Sequence, residues 1–267
     1  MNPLDFTIVD FDDASLHKTA VLVAGTRELV LVDAGFRRSD GQRLAREVAA
    51  TGKRLTTVFI SHGDPDFYFG AEVLQEAYPE ARILAPAQVV EHITATYRAK
   101  LAAWASLGEE LPSRLVLPEP LPGDALEIEG HRLELRGADL RLPDRYFLWE
   151  HRSRSLLGGV LLFQGLHVWT ADTPAFGQRE AWIDVLDGME ALDPAFVAAG
   201  HRMAGAPTDL DAIRYTREYL QTFEMELGKH PDAAAAEAEL KQRYPDAGLP
   251  LAVELGTKVA KGELTWT

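Results

Sequence analysis

The sequence SHGDPDFYFG at residues 61–70 directly follows the short apolar run Thr56–Ser61. That run predicts a buried strand, and loops after such strands often carry functional side chains in α/β proteins. His62, Asp64 and Asp66 alternate along the loop, so a tight turn can bring their side chains together. One histidine and two carboxylates suit zinc, iron or manganese. The alternative is an acidic turn in which Asp64 or Asp66 caps the following helix.

A second histidine follows an apolar strand in VAAGH, residues 197–201. His201 comes directly after Gly200, as His62 comes directly after its own strand. A lone histidine in this setting is more often structural than a metal ligand. We therefore expect His62 and His201 to form a site only if the fold brings the two strand ends together.

Strands and helices alternate on both sides of these two loops, which predicts sheets covered by helices. We expect strands at Phe6–Phe11, Thr19–Ala24, Glu28–Asp33, Arg82–Ala85, Ala125–Ile128, Arg132–Arg136, Arg145–Glu150 and Leu156–Phe163. A long helix is expected near residues 87–107 and further helices near residues 207–262. No linker or repeat interrupts the pattern, so we interpret residues 1–267 as one domain with a helical insert at 87–107.

Composition excludes several kinds of site. The chain has 267 residues, no cysteine and a formal net charge of −14. Without cysteine there is no disulfide, thiolate zinc site or cysteine nucleophile. The acidic balance and the lack of a basic cluster argue against nucleic acid as a partner. The chain has neither a leader-like start nor an apolar run of about 20 residues, so we expect a cytoplasmic protein that is not inserted in a membrane.

Four blocks occur in an order that resembles the metallo-β-lactamase superfamily. They are LVLVDAG at 29–35, SHGDPDFYFGAEVL at 61–74, LLGGVLLF at 156–163 and VAAGH at 197–201. The sequence LGTKVAKGELTW at 255–266 is also similar to the C-terminal part of a bacterial branch of this superfamily. The resemblance implies a four-layer αββα sandwich, with metal ligands on loops along one edge of the sheets. It also implies hydrolase activity on a small ester, lactone, thioester or amide.

The family signature H-x-H-x-D-H is only partly present. By resemblance, His62, Asp66 and His201 occupy ligand positions, and Asp64 stands where the second histidine belongs. The remaining three ligand positions hold residues that do not bind a divalent cation in the usual way, namely Phe67, Arg141 and Val160. The resemblance therefore implies a degenerate motif and at most one metal ion, held by His62, Asp64, Asp66 and His201.

Arg141 suggests a second interpretation, because an arginine is always charged at neutral pH and repels a metal cation. We expect Arg141 to pair with Asp64 in the place of one metal charge. Three functions then stay open. One is a hydrolase with a single zinc, iron or manganese ion, and another is a metal-independent enzyme in which Asp64 and Asp66 perform acid–base chemistry and Arg141 holds an anionic group. The third is a non-catalytic descendant that binds a ligand.

The substrate is expected to be a small molecule, and a homodimer is left open. Phe67, Tyr68, His167 and Asp172 are candidates to line the pocket, although for Tyr68 and His167 packing in the core is the favoured interpretation. Asp33, in LVLVDAG, resembles the aspartate that positions the signature loop through hydrogen bonds to its backbone. His92 has no motif around it and is interpreted as a surface or structural residue.

Overall fold

The computed structural model describes residues 2–266. Its strands are β1 (Asp5–Asp10), β2 (Thr19–Ala24), β3 (Glu28–Val32), β4 (Arg54–Phe59), β5 (Arg82–Ala85), β6 (Glu119–Pro120), β7 (Ala125–Ile128), β8 (His131–Gly137), β9 (Tyr146–Glu150), β10 (Ser155–Leu157), β11 (Phe163–Gln164), β12 (Phe196–Ala198) and β13 (His201–Arg202). Its α-helices are α1 (Arg38–Thr51), α2 (Pro65–Tyr68), α3 (Ala71–Ala77), α4 (Ala87–Ala103), α5 (Phe176–Ala191), α6 (Asp211–Lys229), α7 (Ala233–Arg243) and α8 (Pro250–Ala260).

The strands form two large sheets and one small one. The first sheet has six strands in the order β1-β2-β3-β4-β5-β6, and the second has five in the order β12-β10-β9-β8-β7. β11 and β13 pair in parallel as a separate two-stranded ribbon. Because β3, β4 and β5 are parallel, the loops after them emerge at the same edge of the first sheet.

Successive side chains of a strand face opposite sides of its sheet, and this alternation explains how the sheets and helices form layers. In β2, Val21 and Val23 face a core shared by both sheets, whereas Ala20 and Leu22 face the helices outside the first sheet. The core between the sheets also contains residues of the second sheet such as Leu148. Helices α1, α3 and α4 cover the outer face of the first sheet, and α5 to α8 cover that of the second. The expected four-layer αββα sandwich is therefore confirmed.

One expected strand is broken. The run 156–163 forms β10, then a short 3₁₀ turn at Gly159–Leu161, and then β11. Gly159 adopts a positive φ of 53°, a conformation open to glycine at little cost, and this turns the chain out of the second sheet. The turn is the reason that Val160 contributes to the wall of a cavity and is not inside a strand.

The helices lie at the positions that the sequence pattern predicts. The helix expected near residues 87–107 is α4, followed by a 3₁₀ segment at Ala105–Glu110. Its apolar side, including Val89 and Ile93, packs on the core of the first sheet. Across residues 2–266, no helix has both the length and the apolar character needed to cross a membrane.

Candidate functional site

Asp33 fixes the start of the signature loop. It follows β3 with a left-handed φ of 67°, and its Oδ1 accepts a hydrogen bond from the Ser61 backbone N–H at 2.8 Å. Its Oδ2 accepts from the Ser61 hydroxyl at 3.0 Å and from the Lys18 ammonium at 2.9 Å. Lys18 is fully buried, so the pair is shielded from solvent. The expected positioning of the loop by Asp33 is present in the structure.

Gly200 allows the second loop to reach the same place. A Cβ on Gly200 would lie only 2.1 Å from the carbonyl oxygen of Gly159, so the two segments pack backbone against backbone. The loop is also tied to β2, because Thr19 donates its backbone N–H to the carbonyl of Gly200 at 2.8 Å. His201 is thereby placed beside the signature loop.

His62, Asp64 and Lys100 form the first cluster of the site. The Nε2 of His62 lies 3.2 Å from Oδ2 of Asp64, and the Lys100 ammonium donates to the other carboxylate oxygen of Asp64. Asp64 occupies the N-cap position of α2, yet its side chain makes no capping hydrogen bond. The carboxylate is therefore engaged by two basic side chains and does not serve the helix.

Two further residues complete this cluster. His92 accepts a hydrogen bond from Lys100 at its Nε2 (2.9 Å) and donates from Nδ1 to the Asp144 carboxylate (2.8 Å). The Nδ1 of His62 lies 3.2 Å from the backbone carbonyl of Asp144. Both ring nitrogens of His62 thus face acceptors, which is the arrangement of a doubly protonated imidazolium.

The charged groups of the first cluster shift one another's pKa values toward the ionised forms. Burial acts to lower the pKa of His62, but the neighbouring carboxylates of Asp64 and Asp144 outweigh it and raise that pKa above the ordinary value. Burial alone would raise the pKa of Asp64, but Lys100 and His62 hold it well below the usual range. The geometry therefore describes a carboxylate between an ammonium and an imidazolium.

Asp66 and His201 form the second cluster. The Nε2 of His201 lies 2.9 Å from Oδ2 of Asp66, and both side chains are buried. The imidazole stacks on the ring of Phe163 with centroids 4.7 Å apart. Burial lowers the pKa of His201, although Asp66 partly opposes the effect. The neutral ring donates from Nε2 to Asp66, and its buried Nδ1 has no partner within residues 2–266.

Phe67 lies between the two clusters. Its ring centroid is 5.3 Å from that of His62 and 5.6 Å from that of His201, and each histidine meets it edge to face. The Lys18 ammonium lies 4.1 Å from the centre of the same ring. The space between the two histidines is therefore filled by an apolar side chain in contact with a buried cation.

A cavity of about 250 Å³ opens onto both clusters. Its polar wall includes Asp64, Asp66, Lys100, Asp172 and His201. Its apolar wall is formed by Leu16, Pro65, Phe67, Ala103, Trp104, Val160, Phe163, Trp169, Leu249 and Trp266. The site thus combines a few polar groups with a largely apolar and aromatic enclosure, as small-molecule sites commonly do.

Asp172 is the most unusual group in the cavity wall. Its Oδ1 accepts a hydrogen bond from the indole N–H of Trp266 at 2.9 Å. Its Oδ2 is shielded from solvent and has no partner within the described part of the chain. Burial, followed by the charge of Asp64, raises the pKa of Asp172 to about 6.

Comparison with known proteins agrees with this architecture. Residues 16–201 match the family described as the metallo-beta-lactamase superfamily. The chain belongs to this superfamily. No curated protein matches it in sequence.

Solved structures of the superfamily share the fold. One relative is a metallo-beta-lactamase family protein from Thermus thermophilus, with a TM-score of 0.66 and 19% identity, covering 97% of this chain and 93% of that chain. Another is a metallo-beta-lactamase from Pontibacter korlensis, with a TM-score of 0.56 and 17% identity, covering 76% of this chain and 87% of that chain. At these identities the likeness establishes the fold only.

Metallo-β-lactamases are known by their metal ligands, and the ligand positions here do not fit a metal ion. Within residues 2–266, no three His, Asp or Glu side chains are grouped so that they could hold one. Asp64 is in contact with the ammonium of Lys100, which repels a cation, and Phe67 separates His62 from His201. The expectation of one metal on His62, Asp64, Asp66 and His201 is not supported by this geometry.

The expected pairing of Arg141 with Asp64 is wrong. The Arg141 guanidinium is 40% exposed and forms ion pairs with Asp139 (3.0 Å), Asp184 (2.7 Å) and Glu180 (3.3 Å). It does not line the cavity. Carboxylates on α5 and in the loop of Arg141 bind its guanidinium at the surface. The cation that pairs with Asp64 is Lys100 of α4.

Two of the four expected pocket residues do not reach the cavity. Phe67 and Asp172 line it, but Tyr68 and His167 do not. Tyr68 packs in the core outside the first sheet, and burial raises the pKa of its hydroxyl. His167 is buried with its Nδ1 2.9 Å from the Tyr219 hydroxyl, and burial lowers its pKa to about 4. For these two residues the packed-core alternative is the one observed.

Sequence reasoning missed several residues of the site. His92 and Lys100 lie two turns apart on α4, and this spacing was the available signal that one helix presents both side chains to the same loop. Trp266 lies in the segment that resembles a bacterial branch of the superfamily, but nothing in the sequence connects it to Asp172. The close fit of Gly63 against His92, where a Cβ would lie 2.8 Å from the ring, was likewise invisible.

Proposed function

We propose that this protein is a metal-independent hydrolase of a small ester, lactone, thioester or amide, with His201 as the general base. The observation that carries the proposal is the buried Asp66–His201 pair, whose second ring nitrogen has no partner and whose imidazole lines the cavity. A neutral histidine held by a carboxylate through one nitrogen is the arrangement that general-base catalysis requires at the other.

Each residue has a definite part in this reaction. Asp66 accepts the Nε2 hydrogen bond and so leaves the lone pair on Nδ1 of His201. Nδ1 is shielded from bulk solvent, so the reacting water is one that enters the cavity with the substrate. Nδ1 accepts a proton from this water as the water oxygen attacks the carbonyl carbon. His201 then returns that proton to the leaving oxygen, sulfur or nitrogen, so the proton count balances. Lys100 donates its hydrogen bonds to Asp64, His92 and Gly63, so it acts on the carbonyl oxygen, as that oxygen becomes negative, only through its charge and not through a hydrogen bond.

The proposal fits the rest of the site. Lys100 and His62 neutralise Asp64 without a metal, and His92 and Asp144 hold these cations in place. Apolar and aromatic side chains form most of the wall, and an environment of low polarity strengthens electrostatic effects inside the cavity.

The test is hydrolysis of a panel of small esters, lactones, thioesters and amides by protein purified and assayed with a chelator, with metal content measured in parallel. We expect turnover without bound metal, and a loss of at least about 100-fold in kcat for His201→Ala. His131→Ala is the matched control, because His131 is also 5% exposed and also paired with a carboxylate, Glu150, but lies away from the cavity.

Two results would overturn the proposal. One is activity that disappears with the chelator and returns with zinc, iron or manganese. The other is no turnover anywhere in the panel, which would favour a ligand-binding protein without catalysis.

A further inference from the structure

The charges that line the cavity are not balanced within it. Lys100 pairs with Asp64, and this pair is electrically neutral. Among the residues that the structure describes, the carboxylate of Asp66 is hydrogen-bonded only by His201, and that of Asp172 only by the uncharged indole of Trp266. Among residues 2–266, neither Asp66 nor Asp172 has a lysine or arginine nitrogen within 4 Å. Two carboxylates of the wall are therefore without a cationic partner.

The Arg145 guanidinium is the buried cation whose charge also acts on Asp172. It lies over the ring of Trp182, 4.6 Å from the centroid, and forms no ion pair with Asp172. It is also absent from the cavity wall. The wall that a ligand meets thus carries two carboxylates, Asp66 and Asp172, that are not ion-paired with lysine or arginine in the described part of the chain.

Aromatic rings form much of the rest of the wall. Trp169 and Trp266 meet edge to face with centroids 5.7 Å apart, and Trp266 also donates its indole N–H to Asp172. Phe67, Phe163 and Trp104 line other parts of the cavity. Aromatic faces attract organic cations, and an adjacent carboxylate adds direct charge complementarity.

We propose that the ligand of this cavity is a small organic ammonium ion, with its cationic group between Asp172 and the aromatic walls. The unpartnered Oδ2 of Asp172 is the atom that receives the cation. If the ligand is the substrate, the inference rests on the proposed hydrolase activity and adds that the substrate carries an ammonium group. The inference that the cavity binds an ammonium ion does not depend on turnover.

Other ligand classes fit less well. An anion would meet Asp66 and Asp172 without a free cation in the wall, since Lys100 is already engaged by Asp64, His92 and the carbonyl of Gly63. A bare metal ion lacks a third ligand group among residues 2–266. A neutral ligand would leave Oδ2 of Asp172 without compensation in a shielded site.

The test is equilibrium binding, by calorimetry and tryptophan fluorescence, in buffer with a chelator. The probes are tetramethylammonium, benzylamine and benzyltrimethylammonium, compared with benzyl alcohol and benzoate. We expect at least one ammonium probe to bind ten-fold or more tightly than benzyl alcohol, and benzoate to bind more weakly than both. Asp172→Asn should remove most of that preference and leave the affinity for benzyl alcohol within two-fold.

Asp184→Asn is the control, because Asp184 is an exposed carboxylate outside the cavity and should change no affinity. Turnover of the parent protein on the ester, lactone, thioester and amide panel is measured in parallel with binding. Ammonium preference without turnover contradicts the proposed hydrolase alone, and turnover without ammonium preference contradicts this inference alone. The inference is overturned if no ammonium probe binds at millimolar concentration, if benzyl alcohol or benzoate binds as tightly, or if Asp172→Asn leaves the preference unchanged.

Discussion

The Lys100 ammonium contacts the carboxylate of Asp64, at the loop position where the superfamily signature has its second histidine. The two side chains are 12% and 15% exposed, so their charges are largely removed from water. His62 approaches the same carboxylate from the other side. A lysine from the helical segment and a protonated histidine thus supply the positive charge that a metal ion supplies in the family's usual site.

Removing that lysine should destabilise the protein. Lys100→Met leaves Asp64 buried with only His62 for compensation, and loss of one partner of a buried ion pair costs about 3–5 kcal/mol. Asp64→Asn in the same chain removes the stranded charge and should recover a large part of the loss. The free energies of unfolding from urea denaturation of both single variants and the double variant give the coupling. A double variant as unstable as Lys100→Met would contradict this account.

Two substitutions should convert the site toward metal binding. Phe67→His places an imidazole between His62 and His201, and Lys100→Ala removes the ammonium that occupies Asp64. Combined, they assemble three nitrogen ligands and a free carboxylate, the donor set that zinc prefers. Calorimetric titration with zinc should show one-to-one binding for the double variant and none for the parent. Stoichiometric zinc binding by the parent protein would show that Phe67 and Lys100 do not exclude the ion.

The fold and part of the site could be predicted from the sequence, because short motifs in the chain determine both. The alternation of Val21 and Val23 with Ala20 and Leu22 places β2 between two layers. The resemblance of LVLVDAG to the family's block predicted that Asp33 positions the signature loop, and its hydrogen bonds to Ser61 join the segments that follow the adjacent parallel strands β3 and β4.

The rest depends on tertiary contacts. Arg141 stands at a family ligand position by resemblance, but its side chain is paired at the surface with Asp139 of its own loop and with Asp184 and Glu180 of α5. Lys100 has no motif, and only the packing of α4 across the signature loop brings it to Asp64. A ligand position in an alignment fixes where a Cα lies, whereas the direction of a long charged side chain is decided by what surrounds it.

The backbone contact at Gly200 should be intolerant of a side chain. In Gly200→Ala the new Cβ would lie 2.1 Å from the carbonyl oxygen of Gly159, so the loop that carries His201 must move. We expect a loss of about 1–3 kcal/mol in the free energy of unfolding, as for overpacked cores. Gly188→Ala is the control, because Gly188 is exposed within α5 and a Cβ there meets nothing within 4 Å.

In that control, alanine should stabilise the helix by up to about 1 kcal/mol. Chemical denaturation of both variants measures the difference. Equal effects of the two substitutions would contradict the close packing of the two loops.

The buried carboxylate of Asp172 should make stability depend on pH. Its pKa is about 6 in the folded protein and near the ordinary value of 3.8 in the unfolded chain, so the folded state holds the proton more tightly. Stability therefore falls as pH rises from about 4 through 6, and the full penalty applies above pH 6. Two pKa units correspond to about 3 kcal/mol. Asp172→Asn removes this penalty, while its side-chain oxygen can still accept the indole N–H of Trp266.

We therefore expect Asp172→Asn to be more stable than the parent at pH 8, by up to about 3 kcal/mol, with the difference vanishing near pH 4. Urea denaturation at a series of pH values measures it. Asp5→Asn serves as the control, since it makes the same substitution at an exposed carboxylate on β1, outside the cavity. A difference between Asp172→Asn and the parent that is the same at pH 4 and pH 8 would mean that Asp172 is not a strained, solvent-shielded carboxylate. It would also remove the electrostatic reason for placing a cation beside it.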